Sequence, residues 1–200
     1  MLHIERVVVG RLEENCYILW KDGEAGAVIV DPGDEAEKID EQLKAIARRP
    51  AAVLLTHGHF DHTGALSHYA GLPIYLHEDD GFMLNDPTKN VGWRFSDFRE
   101  RPTDTIPVRE GERFALCGIT FEVLHTPGHT PGCVCYLADG EALLTGDTLF
   151  RHGYGRVDHP GGDIDVLFGS LKRLLGLPRD YPVYPGHGEG TSVFQERGRL

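Results

Sequence analysis

The feature that most constrains this chain is a nine-residue segment that crowds three histidines and an aspartate together, Thr56-His57-Gly58-His59-Phe60-Asp61-His62-Thr63-Gly64. It follows residues 51–55, a short apolar run with the composition of a buried strand. The polar side chains therefore project from the end of a sheet. Burying imidazoles and a carboxylate is costly unless each finds a partner, and a metal ion serves all of them. The segment predicts a site for a zinc-like ion, which prefers these ligands.

Three more candidate ligands follow later strand-like runs. His129 lies in a turn bounded by Pro and Gly, Asp147 follows the run 142–144, and His187 follows the run 182–184. Turns bounded by Pro and Gly are rigid and place a side chain accurately. A structural zinc takes four protein ligands, so seven candidates exceed the needs of one ion. They suit two adjacent ions that share Asp147, because the two oxygens of a carboxylate can bridge two cations.

Composition and charge exclude several classes of function. The chain has 200 residues, typical of one domain, and its net charge of -11 lacks the basic excess that a nucleic-acid partner requires. No apolar run is long enough to cross a bilayer, and the N-terminus shows no signal-peptide pattern. The four cysteines form no C-x-x-C pair and are expected to be reduced. We therefore expect a cytoplasmic protein without a membrane partner; its oligomeric state stays open.

Short apolar runs separated by turns predict a mixed fold. Helices are predicted at residues 36–48, 65–70 and 164–175, where Asp163 either caps the last helix or pairs with Arg156. Residues 86–105 form a long loop that either walls or covers a binding site or simply covers the core. His77 is expected at the surface, and His125 in a supporting role. Strands are predicted at residues 4–9, 16–20, 27–30, 51–55, 74–76, 113–116, 119–124, 133–137, 142–144 and 182–184.

The order and spacing of the seven ligands resemble the metallo-β-lactamase fold, and the flanking segments resemble its glyoxalase II (hydroxyacylglutathione hydrolase) branch. The resemblance covers essentially the whole chain. It implies an α/β (α+β) fold over residues 1–200, a four-layer αββα sandwich in which two mixed sheets lie face to face with helices outside. The segments that carry the second resemblance are Asn15-Cys16-Tyr17, Asp31-Pro32-Gly33, residues 126–132, residues 146–150 and Gly186-His187-Gly188.

The resemblance also distributes the ligands between two divalent ions, zinc with iron or manganese as alternatives. Asp61 and Asp147 would act in catalysis as well as in metal binding. Asp31 is either a turn residue or an acceptor that orients a ligand histidine. The implied ligands are His57, His59 and His129 for the first ion, Asp61, His62 and His187 for the second, and Asp147 as the bridge.

The implied reaction is hydrolysis of a small thioester, S-lactoylglutathione or a related acyl-thiol. Metal ions lower the pKa of bound water to about 7, so a hydroxide that bridges both ions would attack the thioester carbonyl. Both cations would stabilise the anionic tetrahedral intermediate. No Ser or Cys nucleophile is required.

The chain departs from typical glyoxalase II enzymes in two places. It ends soon after His187, so their C-terminal helical domain, which supplies basic residues for glutathione, is not expected. Their Lys/Tyr motif is replaced by a segment that resembles short bacterial glyoxalase II-like hydrolases. There Tyr154 and Arg156 are expected to bind an anionic thiol moiety, unless Arg156 pairs with Asp158 or Asp163. The segment is Arg151-His152-Gly153-Tyr154-Gly155-Arg156-Val157-Asp158.

Other functions remain as alternatives. A persulfide dioxygenase is also similar to this sequence, including Gly155-Arg156-x-Asp158, and would hold one iron on a face drawn from His57, His129 and Asp147. A non-catalytic, metal-stabilised binding module fits less well, because structural zinc sites are closed at four ligands. A secreted β-lactamase would need a signal peptide and an RNA-processing nuclease a basic surface.

Overall fold

A computed structural model of the protein, which describes residues 1–199, contains two six-stranded sheets. Strands β1 to β3 of the first sheet pair antiparallel, and β3 to β6 pair parallel. The order across the sheet follows the order along the chain. Its strands are β1 (Leu2–Val9), β2 (Glu14–Lys21), β3 (Gly26–Val30), β4 (Arg49–Leu54), β5 (Ile74–His77) and β6 (Ile106–Val108).

The second sheet and a small hairpin come from the later part of the chain. The strands of the second sheet are β7 (Arg113–Leu116), β8 (Ile119–His125), β9 (Val134–Ala138), β10 (Ala142–Gly146), β13 (Pro182–Pro185) and β14 (Thr191–Ser192); the hairpin joins β11 (Leu149–Phe150) to β12 (Gly153–Tyr154). The order across the second sheet is β14-β13-β10-β9-β8-β7. Only the β10–β13 pair is parallel among these described strands.

The α-helices are α1 (Ala36–Ala45), α2 (Phe60–Thr63), α3 (Ile164–Leu175) and α4 (Val193–Glu196), with 3-10 turns at Leu66–Tyr69, Glu78–Met83 and Gly92–Phe95. Helix α3 has its predicted bounds, and the Asp163 carboxylate accepts the backbone N–H groups of Asp165 and Val166, which confirms it as the cap. The predicted helix at 65–70 is only a 3-10 turn.

Helix α1 ends before its predicted end at residue 48. The backbone of Ala47 adopts a left-handed conformation with a φ of 54°, which a continuing helix does not allow. Pro50 falls between the predicted helix at 36–48 and the predicted strand at 51–55, but the structure places it inside β4. The register shifts beside its partner Ala27, and a proline without an N–H donor is tolerated at such an irregularity.

Strand β9 shows how the two sheets and their helices form four layers. Val134 and Tyr136 are buried in the cluster between the sheets, whereas Cys135 and Leu137 pack with the apolar face of α3. On the outer face of the first sheet, Ile18 packs in a cluster with residues of α1. Each fully buried large side chain stabilises the fold by about 1.5–3 kcal/mol. The predicted αββα sandwich is confirmed.

Hydrogen bonds join the two sheets at the edge where β4, β10 and β13 end. The Val134 N–H donates to the Thr56 carbonyl oxygen at 2.9 Å, and the Asn15 N–H donates to the Gly186 carbonyl oxygen at 2.8 Å. The Tyr136 hydroxyl donates to the Leu55 carbonyl oxygen at 3.0 Å. The loops that follow these strands are thereby held at a fixed separation.

All four cysteines are unpaired, as predicted, and three of them are buried. No helix among residues 1–199 is both long enough and apolar enough to span a bilayer.

Replacing Leu54 tests the layer between the sheets. Leu54 is fully buried there, so Leu54→Ala should lower the free energy of unfolding by about 2–5 kcal/mol through lost burial and a new cavity. Urea denaturation of chelator-treated protein measures this. Ile106→Ala, at a side chain that is 42% exposed, is the control and should cost less than about 1 kcal/mol. Equal losses would contradict this placement of Leu54.

Candidate metal centre

The structure brings the seven predicted ligands together at the hydrogen-bonded edge of the sandwich. His57 and His59 follow β4, Asp61 and His62 lie in α2, and the others follow β8, β10 and β13. Within each of three groups, one potential ligand atom per residue lies within 4.8 Å of the others. These groups are His57, His59 and His129; His57, His62 and Asp147; and Asp61, His62 and His187.

Three imidazoles converge on one point in the first group. The His59 Nδ1 lies 3.1 Å from the His57 Nε2 and 2.9 Å from the His129 Nε2. Burial lowers the pKa of both His57 and His59 well below the ordinary imidazole value, so these rings are neutral. Neutral nitrogens at this spacing are suited to share a cation.

The hydrogen-bond partners of the Nδ1 atoms of His129 and His187 indicate which ring nitrogen carries the proton. The His129 Nδ1 lies 2.6 Å from the Arg156 carbonyl oxygen, and the His187 Nδ1 lies 3.1 Å from the Leu12 carbonyl oxygen. Because a carbonyl oxygen only accepts, we assign the protons to the Nδ1 atoms. The Nε2 atoms then direct their lone pairs toward the centre, as metal ligands require.

Asp31 orients two further histidines. Its Oδ2 is 3.0 Å from the His62 Nδ1 and accepts the Thr56 hydroxyl at 2.6 Å, while its Oδ1 accepts the Thr56 N–H at 2.7 Å. The Thr56 oxygen, which has donated its proton, lies 3.1 Å from the His57 Nδ1 and can accept from it. Asp31 also has a φ of 51°, a left-handed backbone conformation that is uncommon for residues other than glycine.

The carboxylates at the centre attract positive charge. The His62 Nε2 and the Asp147 Oδ1 lie 3.4 Å apart, and both are buried without a hydrogen-bond partner among residues 1–199. Burial would raise the pKa of Asp147, but His62 and His187 outweigh it and hold the pKa well below its ordinary value. Burial would lower the pKa of His62, but Asp147 and Asp31 outweigh it and raise that pKa.

These observations fit a pair of divalent metal ions. Unpartnered, buried imidazole and carboxylate atoms face one another, and both are donor types that zinc and iron accept. Asp61 belongs to the third group, where its Oδ2 lies 3.4 Å from the His187 Nε2. A cation between such donors offsets the cost of burying them.

Two glycines leave room for this arrangement. A Cβ atom on Gly186 would lie 2.4 Å from the Asp147 Oδ1 and 2.6 Å from the His62 Cε1. A Cβ atom on Gly155 would lie 2.0 Å from the Asp147 carbonyl oxygen. Any larger residue at these positions would therefore displace a candidate ligand.

Asp80 is a supporting residue that sequence reasoning missed. It is fully buried, and its Oδ2 accepts the Gly58 N–H at 2.9 Å and the Thr130 hydroxyl at 2.7 Å. Its Oδ1 accepts the Gly132 N–H at 2.7 Å. It therefore holds the ligand loop after β4 against the turn that carries His129. No spacing pattern distinguishes it from the neighbouring exposed acids.

His77 corrects a sequence-based expectation, because it is buried rather than at the surface. Its ring stacks on that of His125, with centroids 4.1 Å apart and an interplanar angle of 8°. Strands β5 and β8 belong to different sheets, and their ends meet at this contact. The His125 Nε2 lies 2.9 Å from the Pro131 carbonyl oxygen and supports the turn that carries His129.

A cavity of about 450 Å³ opens beside the ligands and is lined by both predicted substrate-binding residues. The Tyr154 ring packs edge-on against Phe168, with centroids 5.4 Å apart. The Arg156 guanidinium makes two contacts of 2.6 Å with the Asp158 carboxylate. Of the two ion pairs considered for Arg156, the one with Asp158 is therefore present, and Arg156 still lines the cavity.

Removing the shared carboxylate tests the two-ion centre. Asp147→Ala should abolish binding of both ions, because all three ligand groups contain or contact this carboxylate. It belongs to one group, and its oxygens lie 3.6 Å from His129 of the first group and 3.4 and 3.7 Å from His62 and His187 of the third. Metal analysis after dialysis against zinc measures the stoichiometry. Asp104→Ala, at an exposed residue of the 86–105 loop, is the control and should bind as much zinc as the wild type. Full metal content in Asp147→Ala would refute the shared-carboxylate arrangement.

Replacing Asp80 tests whether the loops around the ligands need their clamp. Asp80→Asn leaves at least one buried donor unsatisfied, which costs about 1–3 kcal/mol. We expect a lower free energy of unfolding and weaker zinc binding, measured by urea denaturation and by competition with a chromogenic chelator. Asp79→Asn, at a side chain that is 55% exposed, is the matched control. If both variants bound zinc equally well, Asp80 would not position the ligands.

Comparison with known proteins gives a consistent result. The Metallo-beta-lactamase superfamily model matches residues 9–187. The hydroxyacylglutathione hydrolase GloC of Haemophilus influenzae is 36% identical over 98% of this chain and 95% of that protein. The structure of the BLEG-1 B3 metallo-beta-lactamase is 37% identical with a TM-score of 0.90, covering 97% of this chain and 96% of that one.

A second solved structure, TTHA1623 in a di-iron-bound form, is 40% identical with a TM-score of 0.86 and covers 98% of both chains. The family match, these similarities and the convergent histidines and aspartates agree. The chain belongs to the metallo-beta-lactamase superfamily, a family of metal-binding hydrolases.

Proposed function

We propose that this protein is a binuclear metal hydrolase that cleaves the thioester of a small acyl-thiol, S-lactoylglutathione or a close relative, within a single metallo-β-lactamase-like domain. The observation that carries the proposal is the convergence on Asp147 of two ligand trios, one through His129 and the other through His62 and His187, beside an open cavity. The similarity to the hydroxyacylglutathione hydrolase GloC supports the thioester as the bond that is cleaved.

Each ligand trio would hold one of the two ions. His57, His59 and His129 would hold one ion, and Asp61, His62 and His187 the other, with Asp147 between them. Two bound cations would lower the pKa of water to about 7 and polarise the thioester carbonyl. Zinc is the metal that we propose; iron, which the di-iron relative contains, and manganese suit the same ligands.

The ionisation states of Asp61 and of two buried thiols support water as the nucleophile. Burial would raise the pKa of Asp61, but His187 and His62 outweigh it and lower that pKa, so Asp61 stays ionised. We propose that its carboxylate, which lines the cavity, accepts a hydrogen bond from the attacking water. Burial raises the pKa of the Cys16 and Cys133 thiols well above the ordinary value, so neither supplies a thiolate.

The walls of the cavity suit a small organic substrate. Phe150 and Tyr154 line one part of it, and Val91 and Phe95 of the 86–105 loop line another. The loop is therefore a wall of the cavity and not only a cover for the core. An open cavity beside the ligands also favours an enzyme over a metal-stabilised binding module.

The alternative of a mononuclear iron dioxygenase is less well supported. Such an enzyme needs one face of two histidines and a carboxylate. Here Asp61, His62 and His187 also bring one ligand atom each within 4.8 Å of the others, as the first trio does, which favours two ions. Hydrolysis of a β-lactam amide is the second candidate, because the chain is similar to the BLEG-1 enzyme over nearly its full length.

The test is anaerobic hydrolysis of S-lactoylglutathione by protein loaded with zinc, iron or manganese, followed by loss of thioester absorbance. We expect turnover by the wild type and a loss of at least about 100-fold in Asp147→Ala, which removes the shared carboxylate. Nitrocefin hydrolysis and oxygen consumption with glutathione persulfide are measured in parallel. Activity in either of these, without thioester hydrolysis, would replace the proposed reaction.

A further inference from the structure

Three basic side chains line the same cavity as the candidate metal ligands. They are Arg94, Arg156 and His159. The carboxylates of Asp61 and Asp147 line this cavity too, but both belong to the candidate ligand groups. Basic groups beside a reaction site attract the anionic part of a substrate.

Arg94 differs from the other arginines near the cavity. Arg156 is paired with Asp158, and Arg99 of the same loop is paired with Asp34 and Asp97. Within residues 1–199, Arg94 has no carboxylate partner within ion-pair distance; its guanidinium instead lies 5.5 Å from the centroid of an exposed tryptophan ring, that of Trp93. Its hydrogen-bond donors are therefore available to a ligand, and their planar arrangement matches a carboxylate.

The segment that carries Arg94 is anchored to the metal centre. The Phe95 ring stacks on Phe60 at 4.8 Å, and the Phe60 N–H donates to the Asn90 carbonyl oxygen at 3.0 Å. Arg101 is buried, and its Nε donates to the Thr63 hydroxyl at 2.8 Å. Phe60 and Thr63 are the ends of α2, which contains two candidate ligands. The backbone at Arg94 is thus held at a fixed distance from the reaction site.

His159, the third of these basic residues, contacts a candidate metal ligand. Its ring stands edge-on to that of His59, with centroids 5.6 Å apart, and its Nδ1 is buried without a hydrogen-bond partner among residues 1–199. Arg94 and Arg156 line the same cavity as His159 and His59.

We propose that Arg94 binds a carboxylate on the thiol part of the substrate and thereby selects thioesters of carboxylate-bearing thiols. The inference rests on the proposed thioester hydrolysis. In such a substrate the hydroxyacyl group is uncharged, so only the thiol part offers an anion to the basic side of the cavity. Arg94 is a specificity residue that the candidate ligands do not include, and it gives the 86–105 loop a defined role.

The first experiment compares two lactoyl thioesters, one of glutathione and one of N-acetylcysteamine, which has no carboxylate. Arg94→Gln should lower kcat/KM for the glutathione thioester by roughly 10- to 100-fold, chiefly through KM, because a charge-assisted contact contributes to binding. The uncharged thioester should change less than about twofold, and Arg94→Lys should lie between. Arg113→Gln, at an exposed residue of β7 paired with Glu122, is the matched control.

A binding measurement separates this inference from the proposed reaction. Calorimetric titration of zinc-loaded protein with S-methylglutathione, a thioether that cannot be hydrolysed, should give a Kd that weakens by a similar factor in Arg94→Gln. Binding that depends on Arg94 without any thioester hydrolysis would support this inference and overturn the reaction. Hydrolysis that is unchanged in Arg94→Gln, or lost equally for both thioesters, would overturn the role of Arg94. A wild type that neither binds nor hydrolyses would overturn both.

Discussion

The buried carboxylate of Asp31 is the contact on which the ligand geometry depends most. Its two oxygens bind the backbone and hydroxyl of Thr56 and the outer nitrogen of His62, so the end of β3 is tied to the loop after β4. Through Thr56 the same carboxylate acts on His57. Asp80 is its counterpart toward the second sheet. Two buried acids therefore hold one ligand loop from both sides, and each is stable because all its hydrogen-bond partners are donors.

The candidate metal centre carries a free-energy cost of burial that a bound cation would offset. Imidazole lone pairs and carboxylates are gathered where little water can reach them, and several of their atoms have no protein partner among residues 1–199. Burial of the apolar side chains between the two sheets stabilises the fold and offsets the cost of burying these polar groups. Arg94, one of the basic residues that line the cavity, lies on a loop anchored to the same short helix as two of the ligands.

Local patterns predicted the elements whose causes are local. Helix α3 has its predicted bounds because its cap, Asp163, and its apolar spacing all lie within a few residues. The predicted end of α1 at residue 48 was wrong, because the left-handed backbone at Ala47 ends the helix before β4. The position of His77 was also wrong, since its burial arises only where the ends of two sheets meet.

The sequence by itself determined the ligand types, their order and the resemblance to a family, because the ligands follow strand ends within recognisable short motifs. Only the tertiary structure decided which groups support them. The His129 ring is oriented by a backbone carbonyl 27 residues away, and Asp80 binds Gly132 across 52 residues. Arg94 likewise reaches the cavity only because its loop packs on α2. These contacts join residues that are far apart in the sequence. They involve backbone atoms or, for Arg94, a charged side chain without a carboxylate partner among residues 1–199, and neither leaves a spacing pattern along the chain.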